Sequence, residues 1–385
     1  MALASRLAAT TLILLSLCGS DIARGSSSHR QLKTYPLPNN PSSADISLDE
    51  ELVITASWKP NDDADAAKKP FVSLVQIWKF KEQKLVAEFA EHSDSSRQTQ
   101  IVRFAPDGNT VLALLDRSIH VLRATDLSEI SSIALDYPSD LECEHEKPSL
   151  EAMELSPNGG IAAVLWVSPR QQGRIKLYDL ASGQGIVSWN TPQGWIGPRG
   201  FAWDPDGKSL VIAIPNETPC YSPSTQPDVF AFNAKTGAIT EAFTTGLLTG
   251  SVAVSPDHRV LAVDLNCLGV FKNRDPKLRV FDLTTGKHLR DISGPAGVRY
   301  IASASADGSR FLAFTGKMGI IFDLFDAAVY DNVVNEKFTV WNMTTYEEIA
   351  TSQNIPGPKD SDIRLSPKGK YAVSSGTASF VYELP

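Results

Sequence analysis

Apolar and polar positions alternate in short runs along most of the chain, and residues 252–292 show the recurring unit. Val252 and Val254 alternate with smaller residues, the period of a half-buried strand. Ser255-Pro256-Asp257-His258 interrupts the run: proline presets its own φ, and the Ser and Asp side chains can hydrogen-bond the turn backbone. Residues 260–265 read as a second, mostly apolar strand. A polar insert follows, then a third strand over 278–283, the turn Thr284-Thr285-Gly286-Lys287, and a fourth strand over 288–292.

The same landmarks return along the chain. Turns begin at Ser47, Ala105, Ser156, Asp204, Ser255, Ser305 and Ser366, most of them in the form Ser-Pro-Asp-Gly or close to it. Each precedes an apolar run. A third strand then ends on a bulky residue followed by a polar one: Trp78-Lys79, Leu122-Arg123, Tyr178-Asp179, Phe232-Asn233, Phe281-Asp282, Trp341-Asn342 and Tyr382-Glu383. Two landmarks in step, roughly 50 residues apart, predict an all-β, seven-bladed β-propeller of four-stranded antiparallel blades over residues 44–385. The last unit stops after its third strand, and residues 31–37 (QLKTYPL), inside an otherwise polar segment 26–43, alternate like a strand. Pairing the two is expected to close the ring and cover an exposed edge.

The pairs Tyr178-Asp179, Phe281-Asp282 and Trp341-Asn342, with the Ser-Pro-Asp/Asn-Gly turns, resemble WD40 repeats and their divergent bacterial-type relatives. The chain departs from that pattern in having no Gly-His dipeptide and few third-strand tryptophans. The resemblance implies the fold and no particular partner, because propellers host both binding proteins and enzymes.

Composition adds an address. In 385 residues, 42% are hydrophobic and 21% charged, as in a globular protein, and the formal charge of −8 gives no reason to expect nucleic acid. Residues 1–25 read as a signal peptide: Arg6, an apolar run over 7–17, then small residues for cleavage. Its removal leaves no membrane span and points to a secreted or periplasmic, cell-envelope protein. The alternative is a lipid anchor at Cys18, whose Leu15-Ser16-Leu17 prelude faintly resembles a lipobox. Cys143, Cys220 and Cys267 remain. Cys220 and Cys267, in neighbouring inserts, are the disulfide candidate. Asn216 and Asn342 head glycosylation sequons.

Extra residues gather in the connections from second to third strand and between blades, which open on one face. The largest insert, KMGIIFDLFDAAVYDNVVNEK in blade 6, is apolar for a loop, and Phe325, Ala328 and Val329 fit one face of a short helix. Ile321, Phe322, Phe325 and Tyr330 there, with Trp195, Tyr221 and Phe271 in other loops, are the partner-binding candidates; the alternative is that the blade 6 insert folds over the disc and packs on its own propeller. No catalytic, cofactor or metal motif is found: HExxH, CxxC, GxSxG and the P-loop are absent. Cys143, Glu144, His145 and Glu146 match no strong zinc spacing, and a solvated acidic loop is expected there. The expected function is a non-enzymatic scaffold binding a protein or extracellular ligand on its loop-rich face. The alternative is a lactonase-like or quinone- or sugar-dependent enzyme with funnel residues such as Asp116, Arg117, Arg279 or His145.

Overall fold

The turns found in the sequence become the corners of a closed ring. The computed structural model describes residues 32–385 except 63–68, 94–99, 143–146, 169–171, 191–199, 215–226, 248, 265–276, 294–301, 323–328, 353–362 and 377–378. Strand β1 (Lys33–Pro36) precedes blade 1, made of β2 (Ser43–Ile46), β3 (Val53–Pro60), β4 (Phe71–Lys79) and β5 (Lys84–Ser93). Blade 2 is β6 (Gln100–Phe104), β7 (Thr110–Leu115), β8 (Ser118–Arg123) and β9 (Glu129–Ala134). Blade 3 is β10 (Ser149–Leu155), β11 (Ile161–Val167), β12 (Gly173–Asp179) and β13 (Gly185–Asn190). Blade 4 is β14 (Gly200–Trp203), β15 (Ser209–Ala213), β16 (Val229–Asn233) and β17 (Ile239–Phe243). Blade 5 is β18 (Thr249–Val254), β19 (Arg259–Asp264), β20 (Lys277–Asp282) and β21 (His288–Ser293). Blade 6 is β22 (Ala302–Ala304), β23 (Arg310–Phe322), β24 (Val329–Asn342) and β25 (Glu348–Thr351). Blade 7 is β26 (Ile363–Leu365), β27 (Tyr371–Ser374) and β28 (Phe380–Glu383), completed by β1 in the order β1-β28-β27-β26. Lys33 lies opposite Glu383 and Pro36 opposite Phe380. The N-terminal strand therefore closes the ring, as the alternation over residues 31–37 predicts.

The blades twist about one another because their cores lie in the gaps between them. Seven apolar clusters are described, each joining two neighbouring blades. In the closing gap, Tyr35, Phe80 and Tyr371 meet edge to face at 5.3 Å per pair, over buried Leu37, Ile46 and Val381. The outer strands are blunted: in blades 1 to 6 the ladder slips by one residue beside the third-strand bulky residue. That bulge leaves Val86, Ile130, Ile186 and Leu289 partly exposed while twisting the edge away from foreign strands.

The turn between first and second strands repeats one hydrogen-bond unit. The Ser47 hydroxyl donates to Asp49 Oδ1 at 2.6 Å, Ser156 to Asn158 at 2.7 Å, and Ser305 to Asp307 at 2.6 Å. Each serine oxygen then accepts the N–H that starts the second strand, Leu52, Ile161 and Arg310 respectively. The fourth turn residue is left-handed and abuts the previous blade's turn. At Gly308 (φ 69°) an added Cβ would collide with Pro256 of blade 5, so glycine serves both demands there.

At two gaps, departures from this pattern on the two sides reach across to each other. Blade 7 has Lys368 where the turn aspartate stands elsewhere. The missing acceptor comes from blade 1: buried Glu50, left-handed at φ 64°, receives the Ser366 hydroxyl and, at 3.0 Å, the Lys368 N–H. In blade 5, His258 (φ 59°) occupies the glycine position, and its Nδ1 lies 2.6 Å from Asp204 Oδ1, the residue replacing serine in blade 4's turn. A left-handed non-glycine residue is held only where surrounding contacts over-determine it. Here those contacts are the two cross-gap bonds.

A third cross-gap contact is ionic. His120 of β8 is buried against Phe89, with Nε2 3.1 Å from Glu91 of β5 and Nδ1 3.4 Å from Glu129 of β9. Burial works against the imidazolium, but the two carboxylates prevail and raise its pKa above the ordinary 6.5.

Two measurements follow from these joints. Glu50→Gly, although it relieves the left-handed strain, is expected to destabilise by about 1–3 kcal/mol, because buried donors lose their acceptor. Adding Lys368→Asp to that variant should recover most of the loss, read as the urea midpoint; no recovery would mean that Glu50 acts otherwise. The His120 pair stabilises the fold fully below pH about 6.5 and fades as pH rises through the elevated folded pKa. The stability gap between wild type and His120→Gln should accordingly be largest near pH 5.5–6.5 and shrink at alkaline pH. A gap independent of pH would show packing alone.

Candidate functional site

The loop-rich face is built from connections that leave the second strands. Blade 6 carries the longest: β23 and β24 run 13 and 14 residues, against 4 to 9 in the middle strands of the other blades. They stay paired from Lys317 opposite Val334 to Phe322 opposite Val329. Six further pairs carry this ribbon roughly 17 Å beyond the blade, at about 3.4 Å per residue. The helix expected at Phe325, Ala328 and Val329 is thus corrected at Val329, which is a strand residue. The physical reason is composition: Ile320, Ile321, Val329, Val333 and Val334 are β-branched and prolong the ladder rather than coil. Ile321 stands opposite Tyr330. Phe325 and Ala328 lie outside the described residues.

Several other expectations fall outside them too: the segment 1–25 with Cys18, Trp195, Tyr221, Phe271, Asn216, His145, and the cysteines Cys143, Cys220 and Cys267. Asn342 is described. Its Oδ1 accepts the N–H groups of Thr344 and Thr345 at 2.7 and 2.9 Å, the part that Asp179, Asn233 and Asp282 play in neighbouring blades.

The funnel residues expected of an enzyme do not converge where they are described. Asp116 sits in the tight turn of blade 2 at φ 51°, and Arg117 stacks on Tyr137 at 4.6 Å. Arg279 of β20 binds Asp291 at 3.1 Å and the Thr245 carbonyl at 2.5 Å. Beside it, Asp228 accepts the Thr245 N–H and hydroxyl and the Thr249 hydroxyl, tying the start of β16 to the link between blades 4 and 5. Burial pushes the Asp228 carboxyl up in pKa, against the pull of those donors.

A different set of charges meets in the central channel. The innermost strands are β2, β6, β10, β14, β18, β22 and β26, and each places one residue two positions before its turn. Those residues are Asp45, Arg103, Glu154, Ala202, Ala253, Ser303 and Arg364. Arg364 of blade 7 holds Glu154 of blade 3 through both guanidinium nitrogens, one at 3.2 Å. Blades 3 and 7 are not neighbours, so this bridge crosses the channel. Arg103 joins it, 3.5 Å from Glu154 Oε1, and anchors itself on the Val102 carbonyl at 2.8 Å and the Ser43 hydroxyl at 3.2 Å. Asp45 accepts the Phe104 and Ile46 N–H groups, each at 2.9 Å. Burial raises its carboxyl pKa, while Arg103 and Arg364 pull the other way.

This quartet was legible only as a phase. Charged residues recur at the position two before the turn, and a search by named motif passes over them. Among the described residues no group of three His, Cys, Asp or Glu is arranged to hold a metal ion, and no helix is long and apolar enough to cross a membrane. No family model and no curated protein matches the chain, which stands as a seven-bladed β-propeller of four-stranded antiparallel blades closed by its own N-terminal strand.

Proposed function

We propose that this chain is an exported, WD40-like, non-enzymatic propeller that binds a protein or extracellular ligand through its loop-rich face. The ribbon of blade 6 carries the reading. A two-stranded hairpin is marginal in water by itself, and this one runs beyond the four-stranded sheet with no further strand paired to either edge among the described residues. Such an edge is a template for an added strand, and its apolar sequence suits a covered surface. Export is supported by the pattern of residues 1–25. A funnel enzyme would have to draw on the channel quartet. Its carboxylates are engaged with guanidinium and backbone donors, an arrangement that serves binding and fold better than proton transfer.

Cross-linking mass spectrometry on the native exported protein tests the reading, with wild type beside a variant lacking residues 319–335. One partner, captured by wild type and lost in a correctly folded deletion, is the expected result. Equal capture by both, or capture by neither, would remove the ribbon from the binding surface.

A further inference from the structure

The turn of blade 4 differs from the other six in its charge. In the turns at Ser47, Ser156 and Ser305 a hydroxyl donates to the acceptor two residues on, at 2.6, 2.7 and 2.6 Å. Blade 4 has Asp204-Pro205-Asp206-Gly207 there, so a carboxyl stands at both the donor and the acceptor position. The two carboxyls are nevertheless hydrogen-bonded to each other. An ionised carboxylate only accepts, so one proton must lie between them.

His258 of blade 5 continues the string across the gap, its Nδ1 2.6 Å from Asp204 Oδ1. With its own proton turned to Asp206, Asp204 accepts at Oδ1, so His258 Nδ1 is the donor. The Asp204 side chain keeps 10% exposure, against 33% for Asp206 and 45% for His258, so the outer two members meet solvent while the middle one is shielded. From blade 4, Lys208 Nζ lies 2.8 Å from Asp206 Oδ2. From blade 5, Asp257 is paired with Arg259 at 2.8 Å, and Asp282 lies near the imidazole. Burial, more than any neighbour, raises the Asp204 carboxyl above the ordinary carboxylate range; His258 pulls it down and Asp206 pushes it up. Asp206 is lowered against its own burial, by Lys208 and by the bond to Asp204.

We propose that Asp206, Asp204 and His258 form a proton-operated clasp between blades 4 and 5, tight while one proton lies between the two carboxyls and loosened when that proton leaves. The element it biases is the turn of blade 5. His258 holds a left-handed conformation (φ 59°) where glycine would be free of strain. Its carbonyl accepts the Leu283 N–H at 2.9 Å, which ties the turn to the end of β20. Loss of the shared proton sets two like charges side by side in a shielded site, and Asp204 ceases to donate to Asp206. Asp204, raised, contributes fully below its unfolded value of 3.8 and loses that contribution as pH rises through its folded value. Asp206, lowered, contributes above 3.8 and loses its share as pH falls through its own folded value. The clasp is therefore tightest in an acidic window around 3.8 and slackens toward neutrality.

Amide hydrogen exchange on the full chain tests the clasp, read as protection corrected for the intrinsic rate. Between about pH 4.5 and 7.5 the His258 and Leu283 amides should lose about tenfold in protection. Met343, bonded to the Ser309 carbonyl at 3.0 Å in the corresponding place of blade 6, should stay constant and so report any global change. Asp204→Asn keeps the acceptor for His258 and gives Asp206 a donor that needs no proton, so its Leu283 protection should be high and flat across that range. Should that variant fail to fold, carboxyl NMR of the wild type decides: Asp204 and Asp206 should titrate in two steps, one on each side of 3.8. Wild-type protection at Leu283 that ignores pH, a slope in Asp204→Asn equal to that of wild type, or both carboxyls titrating together near 3.8 would each overturn the proposal.

Discussion

Closure of the gap between blades 7 and 1 is the constraint on which the other six gaps depend. Elsewhere consecutive blades are joined through at most 14 residues, and their apolar faces meet because the chain delivers them together. At the closing gap the partners are distant in sequence, so loop-closure entropy opposes their meeting. Three kinds of contact offset it. The ladder from Lys33 to Pro36 fills the outer position of blade 7, Tyr35, Phe80 and Tyr371 stack edge to face, and Glu50 completes the turn at Ser366. Aromatic pairs of this kind contribute about 0.5–1.5 kcal/mol beyond their buried area. The apolar term is larger, since each fully buried Ile, Leu, Val or Phe contributes about 1.5–3 kcal/mol. Packing therefore holds the gap shut, and Glu50 fixes how it shuts.

The two broken turns obey a common logic. Glycine at the fourth turn position is the strain-free choice, and it packs against the preceding blade. Glu50 and His258 give up that choice only where the preceding blade's turn lacks its own standard residue, Lys368 for aspartate in blade 7 and Asp204 for serine in blade 4. A local rule is violated on both sides of a gap at once, and the two violations satisfy each other. Neither sequence fragment explains itself alone.

The strand count, blade boundaries and ring-closing segment were legible because turn and third-strand landmarks repeat in register, so one uncertain unit is corrected by six others. The ribbon was not legible as strand: seven apolar residues among aspartates fit a helix as well as a ladder, and only continuity with β23 and β24 decides between them. Cross-gap pairs such as Glu50 with Ser366 and Arg364 with Glu154 were invisible for another reason. They join residues with no fixed spacing, and a pattern of spacing is all that a single sequence offers.

The channel charges sharpen the functional question. A ring of inner strands can close on apolar or small side chains alone, as blades 4 to 6 do with Ala202, Ala253 and Ser303. Shielded ion pairs add little stability over such packing, because desolvation consumes most of the Coulombic gain. Four alternating charges on successive blades are therefore poorly explained as reinforcement. What they do supply is a bridge across the channel, from Arg364 to Glu154. A disc so bridged has two unlike faces. One carries the compact turns, and the other carries the ribbon of blade 6.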